Sequence, residues 1–276
     1  MLTTLRTALL VPAFVLAAVS AHAQDEASDP LFVALGLPEM IGIMREEGLQ
    51  YGADIGTDLL GEANDPQWTA LVSDIYDADR MTATVARELK AELEGTDTAP
   101  MLDFFTSELG RTIIGLEVSA RRALLDEAVE EASKEAAAIA MADETPRYAQ
   151  VERFVDANEL VETNVVGAMN SNYAFYIGMM SGGGFPQELT EDQILADVWS
   201  QEPEIRSNTT EWVYSFLLMA YQPLSDDELD AYIAFSESEA GQALNSALFD
   251  AFDGMFEDIS RKLGFASAQM MGQEEI

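Results

Sequence analysis

Phe235-Ser-Glu-Ser-Glu-Ala-Gly-Gln-Ala-Leu244 has a counterpart in Phe104-Phe-Thr-Ser-Glu-Leu-Gly-Arg-Thr-Ile113, 131 positions earlier. Both read Phe-x-x-Ser-Glu-x-Gly-x-x-(Ile or Leu). A serine placed directly before an apolar periodic segment is a helix N-cap, because its hydroxyl oxygen accepts from a free backbone N–H of the first turn. Ser107 and Ser238 are therefore expected to start helices. Glu108 and Glu239 follow in the first turn, where the positive end of the helix dipole favours a carboxylate. Glycine inside a helix costs roughly 1 kcal/mol relative to alanine, so Gly110 and Gly241 imply that another backbone passes close by. The expectation is a corner: a short helix ends, Phe104 or Phe235 plugs beneath the bend, and a long helix leaves.

Residues outside the corner extend the second copy. Leu224-Ser-Asp-Asp-Glu-Leu-Asp-Ala-Tyr-Ile-Ala-Phe-Ser-Glu-Ser-Glu-Ala-Gly-Gln-Ala-Leu244 resembles the core of the DUF2059 family of bacterial envelope proteins. That core is an acidic helix followed by Phe-(Tyr or Ser)-x-Ser-Pro-x-Gly-Gln. Glu239 stands where the family often has proline, and both residues suit the first helical turn. The resemblance covers residues from about 200 to 265. It implies an all-helical domain of unknown function and supplies no catalytic residues.

Residues 1–23 read as a secretory signal, with Arg6 at a basic start, an apolar run from Ala8 to Val19, and Ala21-His-Ala23 as a small-x-small cleavage site. The reading places the protein in the periplasm, with no membrane insertion once the signal is cleaved. Cleavage would remove His22, the single histidine, and the chain has no cysteine. Ser-His-Asp and Cys-His nucleophile systems are then excluded, as are the usual zinc, copper and haem sites. No cofactor and no metal site is expected. Without disulfides, stability has to come from the core.

Fifty acidic residues oppose 14 basic ones, a net charge of −36. Such a field repels nucleic acid and anionic headgroups. It serves solubility in a salty compartment or attracts a cationic partner.

Along the chain, residues 24–30 read as a disordered leader and a first helix as Pro38 to about Leu60. Gly48, Gly52 and Gly56 fall on one face of it, a sign of close packing against a neighbour. Asp65-Pro66 caps and opens a short helix to Tyr76. Met81, Val85, Leu89 and Leu93 form the stripe of the next helix, with Gly95 as its stop. Beyond Ser107 a long helix is expected to about Met141. On it Glu117, Arg121, Arg122 and Asp126 read as a solvated, salt-bridged face with Glu117 and Arg121 paired at i, i+4; a buried arginine there would instead be an anion site or a latch between halves.

Thr145-Pro146 opens a helix to about Met180 that carries Asn158, Asn164, Asn170 and Asn172 among apolar residues. These amides line a polar cavity or sit on the solvent face. Thr190-x-x-Gln193, Asn208-x-x-Glu211 and Ser225-x-x-Glu228 read as three capping boxes, the second opening a helix from Trp212 to Tyr221. The last long helix presents Leu244, Leu248, Phe252, Met255, Ile259 and Leu263 as a stripe, and residues 272–276 are expected to fray.

The repeated corner and a weaker match of Asp74-Ile-Tyr76 with Asp197-Val-Trp199 lead to an expected internal duplication. The fold is then all-α, with two related multi-helix halves over residues 31–144 and 145–271. The function expected first is a non-catalytic interaction or scaffold protein. The alternative is a carrier of a small apolar or amphipathic ligand held between the halves. Its partner, protein or small molecule, stays unknown at this stage. With 50 acidic residues, adjacent carboxylates such as Asp226-Asp227 are coincidental and do not make a glycosidase. Asp74, Asp77 and Asp79 lack the glycine and terminal glutamate of a calcium loop.

Overall fold

The computed structural model describes residues 29–60, 65–185 and 189–274. The signal sequence and most of the expected leader lie outside the described residues. Every regular element is a helix: α1 (Pro30–Ala34), α2 (Leu37–Leu60), α3 (Pro66–Ile75), α4 (Ala78–Glu92), α5 (Ala99–Phe105), α6 (Glu108–Ala123), α7 (Glu127–Ala142), α8 (Pro146–Ala157), α9 (Leu160–Ser181), α10 (Glu191–Tyr221), α11 (Asp226–Ser236) and α12 (Glu239–Glu274). The all-α fold is as expected. No helix among the described residues is long and apolar enough to cross a membrane.

Local hydrogen bonds start most of these helices. Asp65, Ser107, Thr145, Thr190 and Ser225 all cap through their side chains, and the last two complete reciprocal boxes with Gln193 and Glu228. At the corners, Ser107 Oγ accepts from Gly110 N at 3.0 Å and Ser238 Oγ from Gly241 N at 3.1 Å. A Cβ on Gly110 would lie 2.2 Å from the Phe104 carbonyl oxygen, and one on Gly241 2.1 Å from that of Phe235. The close backbone anticipated at these glycines is thus the end of the preceding short helix. Instead of plugging beneath separate bends, Phe104 and Phe235 are half-buried and stack on each other, ring centroids 4.2 Å apart.

Five boundaries differ from expectation. The leader ends early, because Asp29 caps α1 and Pro30 occupies its first turn. The helix expected from Ser107 to Met141 is two helices, since the Asp126 carboxylate accepts from Ala128 N at 2.9 Å and starts α7. Asp126 is therefore a cap and no part of a charged face. The helix expected from Pro146 to Met180 breaks at Glu159, which adopts φ 51°. There α12 satisfies the open carbonyls left by the end of α8: Gln242 Nε2 donates to Ala157 O at 2.7 Å and Asn245 Nδ2 to Asn158 O at 3.0 Å.

Conversely, α10 runs unbroken for 31 residues with Pro203 inside it. Asn208 is an exposed mid-helix residue and no cap. Pro203 lacks the N–H that would serve the Trp199 carbonyl, a loss tolerable where solvent reaches, and Trp199 is 64% exposed. Arg206 holds the turn beyond the proline by pairing with Glu202 at 2.5 Å and Glu162 at 2.8 Å. The last difference is that residues 272–274 continue α12; residues 275–276 lie outside the described set.

A single buried cluster joins residues of α1–α6 to residues of α8 and α10–α12. The longest helix, α12, reaches both sides: it packs along α9 and also against α2, α3 and α4. Its contact with α9 is backbone to backbone. A Cβ on Gly178 would fall 2.0 Å from the Arg261 carbonyl oxygen, and one on Gly264 2.1 Å from that of Phe175. On α2, Trp68 Nε1 donates to the Gly52 carbonyl at 2.7 Å and the Tyr76 ring lies over Gly48, so the glycine face is a packing face.

The 131-residue offset persists in the pattern of burial. Met101 and Tyr232, Phe105 and Ser236, Ile113 and Leu244, Ala120 and Ala251, and Leu124 and Met255 are pairs at that offset in which both residues are buried. The other sequence match does not persist. Tyr76 is buried at the end of α3, whereas Trp199 is exposed within α10.

Candidate functional site

Beyond each corner, α6 and α12 diverge around a space that α9 and α10 close. The result is a cavity of about 550 Å³ whose lining includes Glu117, Arg121, Asn164, Trp212, Phe252 and Asp253. A second cavity of about 220 Å³ shares Glu117, Arg121, Asn245 and Phe252 with it and reaches Phe235 and Gly241 at the second corner. The aromatic wall has order of its own, with Trp212 stacked on Phe216 at 5.2 Å and Phe252 beside Phe256 at 6.5 Å.

Glu117 stands on the stripe Ile113, Ala120 and Leu124, which is buried. Its Oε1 accepts from Tyr221 Oη at 2.6 Å and Tyr232 Oη at 3.3 Å. Its Oε2 has no partner among the described residues. Burial raises the carboxyl to about 7, against the two tyrosine hydrogen bonds, which lower it. Near neutral pH it therefore takes up and releases a proton. Burial beside this carboxyl, which adds charge repulsion, drives both Tyr221 and Tyr232 hydroxyls well above the ordinary tyrosine range.

The pairing of Glu117 with Arg121 expected from their spacing does not occur. Arg121 turns instead to α2, donating Nε to Glu47 Oε1 at 2.9 Å and Nη2 to Oε2 at 2.7 Å. Its guanidinium lies 5.3 Å from the Trp212 ring centroid. This bidentate pair, with the arginine side chain only 18% exposed, ties α6 to α2. Both helices belong to the expected first half, whereas the contact with Trp212 reaches α10 in the second.

Asp253 enters the cavity from α12. It fits because α9 carries glycine opposite: a Cβ on Gly167 would lie 2.4 Å from Asp253 Oδ1. Burial, then repulsion from Glu257 and Asp250, raises its carboxyl to about 6.

Of the polar residues singled out in the sequence, Glu117, Arg121 and Asn164 meet at the cavity. Arg122 and Asn170 do not: both are exposed, and Arg122 pairs loosely with Glu46 at 3.6 Å. Phe235 and Gly241 join the site through the smaller cavity, while Phe104, Ser107, Glu108, Gly110, Ser238 and Glu239 build the corners that aim its walls. Tyr221, Tyr232, Trp212 and Asp253 were not anticipated. The signal for Glu117 was present, because a carboxylate at the 113, 117, 120, 124 spacing interrupts an apolar stripe.

No family model, curated protein or solved structure matches the chain.

Proposed function

We propose that the protein is an exported, non-catalytic carrier that holds one small amphipathic molecule in the cavity beyond its two corners. The observation that carries this reading is the cavity itself: about 550 Å³, walled by aromatic and aliphatic groups, with a few polar side chains at fixed places. That size and mixture are usual for small-molecule sites between helices of a bundle. The reading also takes the two corners as copies of one duplicated unit. Divergence of the helices that leave them accounts for the space. The resemblance to the DUF2059 family agrees with export and names no ligand.

Native mass spectrometry of the protein, purified gently from the periplasm of its host, tests the proposal. A reproducible extra mass in the low hundreds of daltons is the expected result. A bare chain, with no added mass and no change on incubation with host extract, counts against it.

A second reading, a protein-interaction role, has one observation of its own. Leu195 and Trp199, one turn apart on α10, are 38% and 64% exposed. Cross-linking of the wild type against Trp199→Ala distinguishes it, since loss of a discrete partner band in the variant is the expected result under this second reading alone.

A further inference from the structure

Resting on the carrier reading, we infer that the ligand is an amphipathic amine, its ammonium group held by Glu117 and Asp253 and its apolar body against the aromatic wall.

Its hydrogen-bond donors are largely committed. Tyr221 and Tyr232 give their hydroxyl protons to Glu117 Oε1. Arg121 gives Nε and Nη2 to Glu47. Asn164 Nδ2 donates to Leu160 O at 2.7 Å, and Asn245 Nδ2 to Asn158 O at 3.0 Å. Among its acceptors, Glu117 Oε2, both oxygens of Asp253, and the amide oxygens of Asn164 and Asn245 have no partner among the described residues; the donors left are neutral, Trp212 Nε1, Ser171 Oγ and one N–H of each amide, or belong to Arg121, whose charge Glu47 balances. The four acceptor side chains line the same cavity. Two carboxylates in one largely apolar cavity, with no free cation beside them, are compensated by a ligand that brings N–H groups and positive charge.

The surroundings favour the same class. Aromatic faces attract cations, and Phe252, Phe256, Phe216 and Trp212 supply several. Arg121, the only basic side chain in the lining, has its charge balanced by Glu47. The net charge of −36 raises the local concentration of any cation before it binds. A carboxylate ligand meets Glu117 and Asp253 at close range, and a neutral one leaves their charge uncompensated.

Protonation adds a testable consequence. An ammonium ion favours the ionised carboxylates, so its binding expels protons from Glu117 and Asp253 and strengthens as pH rises from about 5 to 8. The groups facing Glu117 are Tyr221 and Tyr232, with Arg121 on its own helix; those facing Asp253 are Glu257 and Asp250. None of these carries a positive charge free to replace the ligand.

The experiment is calorimetric titration of the full exported chain at pH 8 and moderate salt with three probes of one chain length: octylammonium, octanol and octanoate. Octylammonium is expected to bind at least about tenfold tighter than octanol, and octanoate not at all. Glu117→Gln and Asp253→Asn are each expected to weaken octylammonium about tenfold and to change octanol by much less. Equal affinity for octylammonium and octanol, or preference for octanoate, overturns the amine while leaving the carrier reading in place. Failure of all three to bind overturns both. Should Glu117→Gln not fold, Asp253→Asn and the probe series still decide.

Discussion

Matched positions beyond the two corners face the same cavity from opposite walls, in opposite chemistry. Glu117 and Arg121 on α6 correspond, 131 residues on, to Leu248 and Phe252 on α12, and all four line both the larger and the smaller space. Up to the cap the two corners are nearly interchangeable, with the same serine bond, the same glycine against the same carbonyl, and rings stacked on each other. One turn later they have parted. The corner constrains only backbone, so the residues that follow are free to diverge as long as their burial pattern is kept. That difference helps make the space amphipathic, with Glu117 and Arg121 on α6 against Leu248 and Phe252 on α12, where Asp253 adds a second carboxylate.

The largest expected effect sets Glu117 apart from its apolar counterpart. Its carboxyl rises from the ordinary value of 4.5 to about 7, so the folded chain holds a proton there that the unfolded chain releases. Stability from this group is fully present below about pH 4.5 and is lost as pH climbs through 7. The shift corresponds to about 3 kcal/mol. Urea unfolding of wild type and Glu117→Gln between pH 5 and 8 should show the wild type losing ground to the variant by that order. Parallel curves would place the carboxyl in solvent.

Gly110→Ala and Gly241→Ala test whether the corners are equivalent. In an open helix the change stabilises by roughly 0.5–1 kcal/mol. Here a Cβ meets a backbone carbonyl in both, and each variant should lose about 2 kcal/mol, measured by denaturant midpoint. One neutral variant would show that one corner has slack the other lacks.

Ser107→Ala and Ser238→Ala remove the caps and should cost about 1 kcal/mol each. Hydrogen exchange should locate the loss in the first turns of α6 and α12. Smallest is the coupling between Phe104 and Phe235, about 1 kcal/mol by a double-mutant cycle. A coupling of zero would separate the two corners energetically as well as in sequence.

The caps at Asp65, Ser107, Thr145, Thr190 and Ser225 were legible because a cap is a bond within a few residues of sequence. The break at Glu159 was not, since it depends on Gln242 and Asn245, more than 80 residues away, to receive its carbonyls. Asn208-x-x-Glu211 misled because a three-residue spacing of polar side chains also occurs on any continuous helix surface. Glu117 and Arg121 misled for a related reason: i, i+4 charges pair on an isolated helix, whereas here α2 offers Glu47 to the arginine and α10 and α11 offer tyrosines to the glutamate. A cavity was anticipated only as an alternative, with Asn164 as one lining residue, and its place and size were not legible. Both follow from how α2, α6, α9, α10 and α12 pack, through residues far apart in sequence.

The most direct test of the account follows the Glu117 carboxyl itself through pH, by isotope-edited infrared or carbon NMR with Glu117→Gln to assign its signal. A midpoint near 7 is the predicted result and fits a desolvated carboxyl held by Tyr221 and Tyr232 at the edge of a ligand cavity. A midpoint near the ordinary glutamate value of 4.5 would put that carboxyl in water and contradict the site on which the proposed function stands.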